Sequence, residues 1–216
     1  MKEKTGRVYS VAEENAPVPG YTISREISDG ERYIGYFSLA EDTDISAEIY
    51  TYHKLLIVAE GRLEVYFGDT TLSCGALECV ITPTGTPVGV RTASGAVYTE
   101  IMIRRNDSMN KMIKPGEVFK LADLVPYQEG KIVNMDVIHN STMKFVIMAF
   151  DAGTGLSEHA APAEAMIFAL DGEGIIGYEG EEHPIKAGEN FCFARGGRHS
   201  VKANGRFKMA LLLVAN

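Results

Sequence analysis

The chain has 216 residues, of which 45% are hydrophobic and 23% charged, the balance of an ordinary globular protein that can bury a core without disulfide staples. Its formal net charge is −8, and it has no Lys/Arg block of the kind that binding a phosphate backbone requires. Nucleic acid is therefore excluded as an expected partner.

The start, Met1-Lys2-Glu3-Lys4-Thr5-Gly6-Arg7, leads into polar sequence with no apolar signal core, and the longest apolar run, Met209 to Ala215, is too short to span a bilayer. A cytoplasmic chain with no membrane partner is the expectation. In chain order, short segments rich in Val, Ile, Phe and Tyr read as strands: Tyr33–Leu39, Leu55–Val65 with an acidic-Gly break at Glu60-Gly61, Val97–Ile103, Phe145–Phe150, Met166–Ile176 broken at Asp171-Gly172, and Phe207–Val214. Each acidic-Gly break reads as a tight turn between two antiparallel strands, with Gly supplying a positive φ. The best helical pattern is Glu117–Leu124, where Val118, Leu121 and Leu124 recur at helical spacing. It follows Lys114-Pro115-Gly116, so residues 105–116 read as a linker. Asn140-Ser141-Thr142 matches a glycosylation sequon and reads more simply as a turn. Cys74, Cys79 and Cys192 lack CxxC spacing and sit among apolar neighbours, as reduced core thiols do.

The two halves repeat one another. Gly61 and Gly172, Gly68-Asp69 and Glu179-Gly180, and Gly75 and Gly188 mark matched turns, offset by roughly 111 to 113 residues. The order of turns and strands agrees over about 40 residues in each copy. Residues 1–108 and 109–216 are the two expected domains of an all-β protein.

Residues 117–216 carry a further pattern. Gly153, His159, Glu164 and Gly172 are followed by Gly188, Gly196 and His199, and the lead-in Phe119–Val133 is distinctive. This resembles the cupin superfamily, small single-barrel members in particular. The resemblance implies a fold of two tandem double-stranded β-helix (jelly-roll) barrels, a bicupin. It implies metal ligands at His159, Glu164 and His199; Glu158, adjacent to His159 in sequence, is a candidate to orient an imidazole. Ala161 stands where the family's second His belongs, Ala194 at its Pro and Ala203 at its Asn. Two imidazoles and one carboxylate form a facial triad compatible with Fe, Mn, Ni or Zn. A metal-free pocket in which the same side chains anchor a small ligand or move protons is equally open. Arg195 and Arg198 flank Gly196-Gly197 and could clamp a substrate carboxylate or simply be solvated. His139 and His183 read as surface residues.

Aligning the glycines puts His53 opposite Glu164, Glu48 opposite His159 and Val88 opposite His199. The first copy is thereby expected to be a vestigial barrel packed against the second. The alternative is a metal-free pocket lined by Glu48, Tyr50, Tyr52 and His53, with both tyrosines on the same face as Glu48. Two functional classes follow: a metal-dependent oxygenase or isomerase acting on a small organic substrate in the second half, or a non-enzymatic binding or sensing protein. A homodimer through edge strands and a monomer are both compatible with the sequence.

Overall fold

The computed structural model describes residues 1–28 and 32–215. In the first half the strands are β1 (Val8–Tyr9), β2 (Thr22–Glu26), β3 (Ile34–Leu39), β4 (Thr43–Ile49), β5 (His53–Phe67), β6 (Thr70–Gly75), β7 (Glu78–Ile81), β8 (Pro87–Thr92) and β9 (Ala96–Ile103). A short helix α1 (Val11–Glu14) follows β1, capped by the Ser10 hydroxyl, which accepts from the Glu13 amide. In the second half come β10 (Ser108–Met109), β11 (Val118–Lys120), β12 (Ile132–His139), β13 (Met143–Phe150), β14 (Gly155–Ala160), β15 (Glu164–Tyr178), β16 (Glu181–Lys186), β17 (Asn190–Phe193), β18 (Arg198–Lys202) and β19 (Phe207–Val214).

Two curled antiparallel sheets with the same internal order result. One runs β7-β5-β9-β3-β2 and the other β17-β15-β19-β13-β12, while β4 pairs β8 in the first as β14 pairs β18 in the second. Each long strand serves two layers. The first part of β5 pairs β7 and β9, and its last part pairs β6 and β8; β15 does the same with β17, β19, β16 and β18.

The acidic-Gly breaks are therefore bends inside one 15-residue strand, rather than the tight turns expected from the sequence. The register slips at Val58/Glu60 and at Ala169/Asp171, a β-bulge in each half. Gly61 and Gly172 hold φ of 79° and 69° there. A Cβ on Gly61 would stand 2.1 Å from the Gly95 carbonyl oxygen, and one on Gly172 2.0 Å from that of Arg206, so only Gly fits. The hairpin turns are one step later, at Gly68 and at Glu179-Gly180, all with positive φ.

The expected helix at 117–124 is instead β11 followed by a single 3-10 turn, Leu121–Leu124. Val118 and Phe119 gain backbone partners on β7, and Pro126 disfavours helical φ/ψ at Val125, which is extended. Residues 105–116 are partly ordered by packing: β10 pairs β12 and Ile113 is buried. The Asn140 side chain accepts from the Thr142 and Met143 amides, the expected turn between β12 and β13.

The halves exchange strands. β1 of the first half pairs β17 of the second, and β11 of the second pairs β7 of the first. Strand alternation then divides the core in three. On β5, Leu55 and Ile57 face the contact between the sheets, while Leu56 and Val58 face the interior of the first sheet. On β15, Met166, Phe168 and Leu170 face that contact, and Ala165, Ile167 and Ala169 face the interior of the second sheet. Burying one Leu, Ile or Phe contributes about 1.5–3 kcal/mol, so the contact layer is a core in its own right and not a surface touch. At its centre the Tyr9 hydroxyl lies 3.1 Å from that of Tyr36 and 3.3 Å from Cys192 Sγ. All three cysteines are free and buried. Burial pushes the Cys74 thiol up to about 11 and Cys192 to about 12, which suits core thiols and not nucleophiles.

Candidate functional site

Of the residues expected to hold a metal, the two imidazoles come together and Glu164 does not join them. His159 and His199 are register partners on β14 and β18, with ring centroids 4.1 Å apart. His199 is buried against Phe193, its ring 4.3 Å away, and its Nδ1 lies 3.3 Å from the Gly197 carbonyl oxygen. Burial, with His159 adding to it, lowers its pKa from the ordinary imidazole value. His159 is exposed, with Nδ1 2.9 Å from the Ser157 carbonyl oxygen.

Glu164 stands on the other face of β15. It shares parity with Met166 and Phe168, which face the contact between the sheets, and its carboxylate is ion-paired with the Met1 ammonium. The interior positions beside it are Ala163 and Ala165, and Ala161 lies one turn of alternation earlier, all buried. No group of three His, Cys, Asp or Glu side chains that could hold a metal is found among the described residues. The second half therefore offers two imidazoles without the carboxylate of a facial triad, and these residues do not fit a three-ligand metal.

The flanking groups are engaged elsewhere. Glu158, the candidate to orient an imidazole, instead binds Arg198, whose Nε lies 2.9 Å from its Oε1. Arg195 and Arg198 are exposed at the turn. His139 is exposed as expected, whereas His183 is half-buried with its ring 5.1 Å from Phe191.

The first half holds the better-built site. A cavity of about 250 Å³ lies between its two layers. Its floor comes from Leu56, Tyr98 and Glu100, and its opposite wall from Ile45, Val88 and Val90. Tyr33, Phe37, Tyr50 and Tyr52 line the rest. Phe37 stacks on Tyr98 at 5.0 Å, and Tyr50 packs on Tyr52 at 5.2 Å. Tyr33, Tyr50 and Tyr52 are half-buried toward the mouth, while Tyr98 is fully buried.

One charged pair reaches into this cavity. Lys54 Nζ is 3.2 Å from Glu100 Oε1, and the side chains are only 15% and 7% exposed. The ammonium also sits 3.8 Å from the centroid of the Tyr50 ring, a cation–π contact. Burial raises the Glu100 pKa above the ordinary carboxylate value, and Lys54 pulls it back down. The Tyr50 hydroxyl donates to Glu48 Oε2 at 2.6 Å. Burial, with Glu100 adding to it, pushes Tyr33 up to about 12, and burial likewise raises Tyr50, Tyr52 and Tyr98. The tyrosines therefore remain neutral hydroxyls near pH 7, able both to donate and to accept.

Of the four first-half candidates, Tyr50 and Tyr52 line the cavity and Glu48 anchors Tyr50. His53 does not join them. It alternates to the other face of β5, where its Nδ1 lies 2.7 Å from the Thr82 carbonyl oxygen. Sequence reasoning missed Lys54, Tyr98 and Glu100. A signal was present for Glu100, a single charge inside the apolar run Val97–Ile103, where a charge is expensive unless paired.

Comparison with known proteins agrees with this architecture. Residues 146–215 match the cupin domain profile. Over the whole chain, the fold is similar to a cupin 2 conserved barrel domain protein from Leptotrichia buccalis, at 25% identity and a TM-score of 0.86, covering 99% of each chain. It is also similar to a salicylate 1,2-dioxygenase from Pseudaminobacter salicylatoxidans, at 10% identity and a TM-score of 0.66, covering 96% of this chain and 84% of that one. No curated protein sequence matches the chain. No helix among the described residues is long and apolar enough to cross a membrane. The cupin domain at residues 146–215 and the barrel neighbours together support the cupin superfamily for this chain.

Proposed function

We propose that this chain is a metal-free binding protein that takes up a small organic molecule in the cavity of its first half. We further propose that its two sheets are tandem double-stranded β-helix barrels descended from one duplicated module. The observation that carries the first reading is the cavity itself, an aromatic chamber with the buried Lys54–Glu100 pair on its inner face. An apolar chamber with a few convergent polar groups is the usual form of a small-molecule site. At about 250 Å³ it is small. Cavities of roughly 150 Å³ already accept benzene, so one ring with a polar substituent fits. The duplication is supported by the matched strand order, the two bulges and the equivalent registers Glu48↔Val88 and His159↔His199.

The chain has no Trp, so its intrinsic emission comes from tyrosine, and four tyrosines line the cavity. A set of single-ring compounds screened by tyrosine emission and ligand-observed NMR should give binders to the intact protein. A Val88→Phe variant fills the cavity and should lose them. Binders that persist undiminished in a folded Val88→Phe protein would place the site elsewhere and overturn the reading.

A further inference from the structure

We infer that the first-half cavity selects an uncharged ring-bodied compound bearing a hydroxyl or amide group, over an organic anion or an ammonium compound of the same size. The inference rests on the binding reading above and adds the ligand's charge and chemistry to it.

Lys54 and Glu100 are the charged side chains that line the cavity, and each already neutralises the other at 3.2 Å. An entering carboxylate meets Glu100 without a free counter-charge, because the Lys54 ammonium is committed to Glu100 and to the Tyr50 ring. Glu48, held by the Tyr50 hydroxyl, adds a second negative charge near the mouth. An entering ammonium meets Lys54 in the same way. A hydroxyl or amide suits the pair as it stands, since it accepts from the ammonium and donates to the carboxylate at once. Around that polar end, Phe37 and the cavity tyrosines offer ring faces and edges for offset or T-shaped packing. The tyrosine hydroxyls stay protonated near pH 7, so the wall adds no charge. The burial-raised pKa of Glu100 agrees with a site whose carboxylate has little charge stabilisation to spare.

The test uses three matched probes on the full-length protein near neutral pH: phenol, benzoate and benzylammonium. Titrations by saturation-transfer NMR should rank phenol at least about tenfold tighter than either ion, because unmatched like charges across a contact are costly. A Glu100→Gln variant keeps the side-chain shape and frees the Lys54 charge. In it, benzoate should gain at least about tenfold relative to phenol. Circular dichroism establishes that the variant is folded; if it is not, the ranking on the unmodified protein decides alone. Benzoate or benzylammonium binding as tightly as phenol, with all three sensitive to Val88→Phe, overturns the charge selection and keeps the site. Binding of none of the three, or binding indifferent to Val88→Phe, overturns the cavity reading itself.

Discussion

Replacing Lys54 by Met removes one half of the buried pair and leaves the other inside the protein. Glu100 is 5% exposed, and among the described residues lining the cavity its charged partner is Lys54. Breaking a buried pair in this way typically costs about 3–5 kcal/mol, because the surviving charge keeps its desolvation penalty. For a chain of this size about 1 kcal/mol moves the melting midpoint by 2–4 °C, so Lys54→Met should melt roughly 6–20 °C lower near pH 7.5. The sign of the pH dependence follows from Glu100. Its folded pKa is already raised by burial, and losing Lys54 removes the interaction that lowers it. A carboxyl raised in the folded state contributes stability below its unfolded pKa of about 4.3 and loses it as pH rises. The deficit of Lys54→Met should therefore shrink as the pH falls from about 7.5 toward 5. The double variant Lys54→Met, Glu100→Met buries no charge and should recover most of the loss or exceed the parent. Melts followed by circular dichroism at the two pH values provide the measurement. A Lys54→Met loss below about 1 kcal/mol, or a double variant less stable than the single, refutes the reasoning.

Three further outcomes are expected. Gly61→Ala and Gly172→Ala place a Cβ within 2.1 and 2.0 Å of a backbone oxygen at positive φ, and each should cost at least about 2 kcal/mol in a thermal melt. Gly205→Ala, with nothing within 4 Å, serves as the near-neutral control; equal melting points for all three would discredit the bulge geometry. His199 has a folded pKa lowered by burial, so it adds stability above the unfolded value of about 6.5 and loses it as the pH falls. The melting-point advantage of the parent over His199→Gln should thus narrow between about pH 7.5 and 5.5, and a constant gap would contradict the buried, neutral imidazole. Finally, untagged protein incubated with Zn²⁺, Mn²⁺, Ni²⁺ or Fe²⁺ and desalted should keep less than about 0.1 equivalents by elemental analysis, since catalytic sites use three protein ligands. Near-stoichiometric retention lost in His159→Ala would show that a third ligand is recruited.

Much of the fold was legible because the strand pattern is locally written. The runs at Phe145–Phe150 and Phe207–Val214 are β13 and β19 residue for residue at one or both ends. The matched glycines aligned equivalent strands of the two halves, and the registers agree with that alignment: Glu48 lies opposite Val88 as His159 lies opposite His199. What the sequence concealed was non-local. Glu60-Gly61 reads as a hairpin because a positive-φ Gly beside an acidic residue is turn chemistry. A bulge uses the same chemistry, and only pairing with β9 on one side and β6 on the other tells them apart. Likewise Val118 and Leu121 share helical spacing, and an edge offered by a distant strand overrode it.

The separation of Glu164 and His53 from the strand interiors has a related reason, which is parity. A strand has a side-chain period of two, so a one-residue step moves a group from the interior to the opposite face. Glu164 and His53 are equivalent positions, paired with Val214 and Ile103 respectively, and both face away from the interior. One residue further along each strand the interior position holds Ala165 in the second half and Lys54 in the first. Opposite, Glu100 pairs Leu56 where Leu211 pairs Ile167. The first half thus carries its charges on the β5–β9 layer, and the second carries its imidazoles on the β14–β18 layer. The second sheet's interior is filled by Ile167, Phe191 and Phe207 around small Ala positions. In the first, the Lys54–Glu100 pair and the tyrosines line the chamber between the layers. The half that looked vestigial by motif is the one whose two layers enclose the cavity of about 250 Å³.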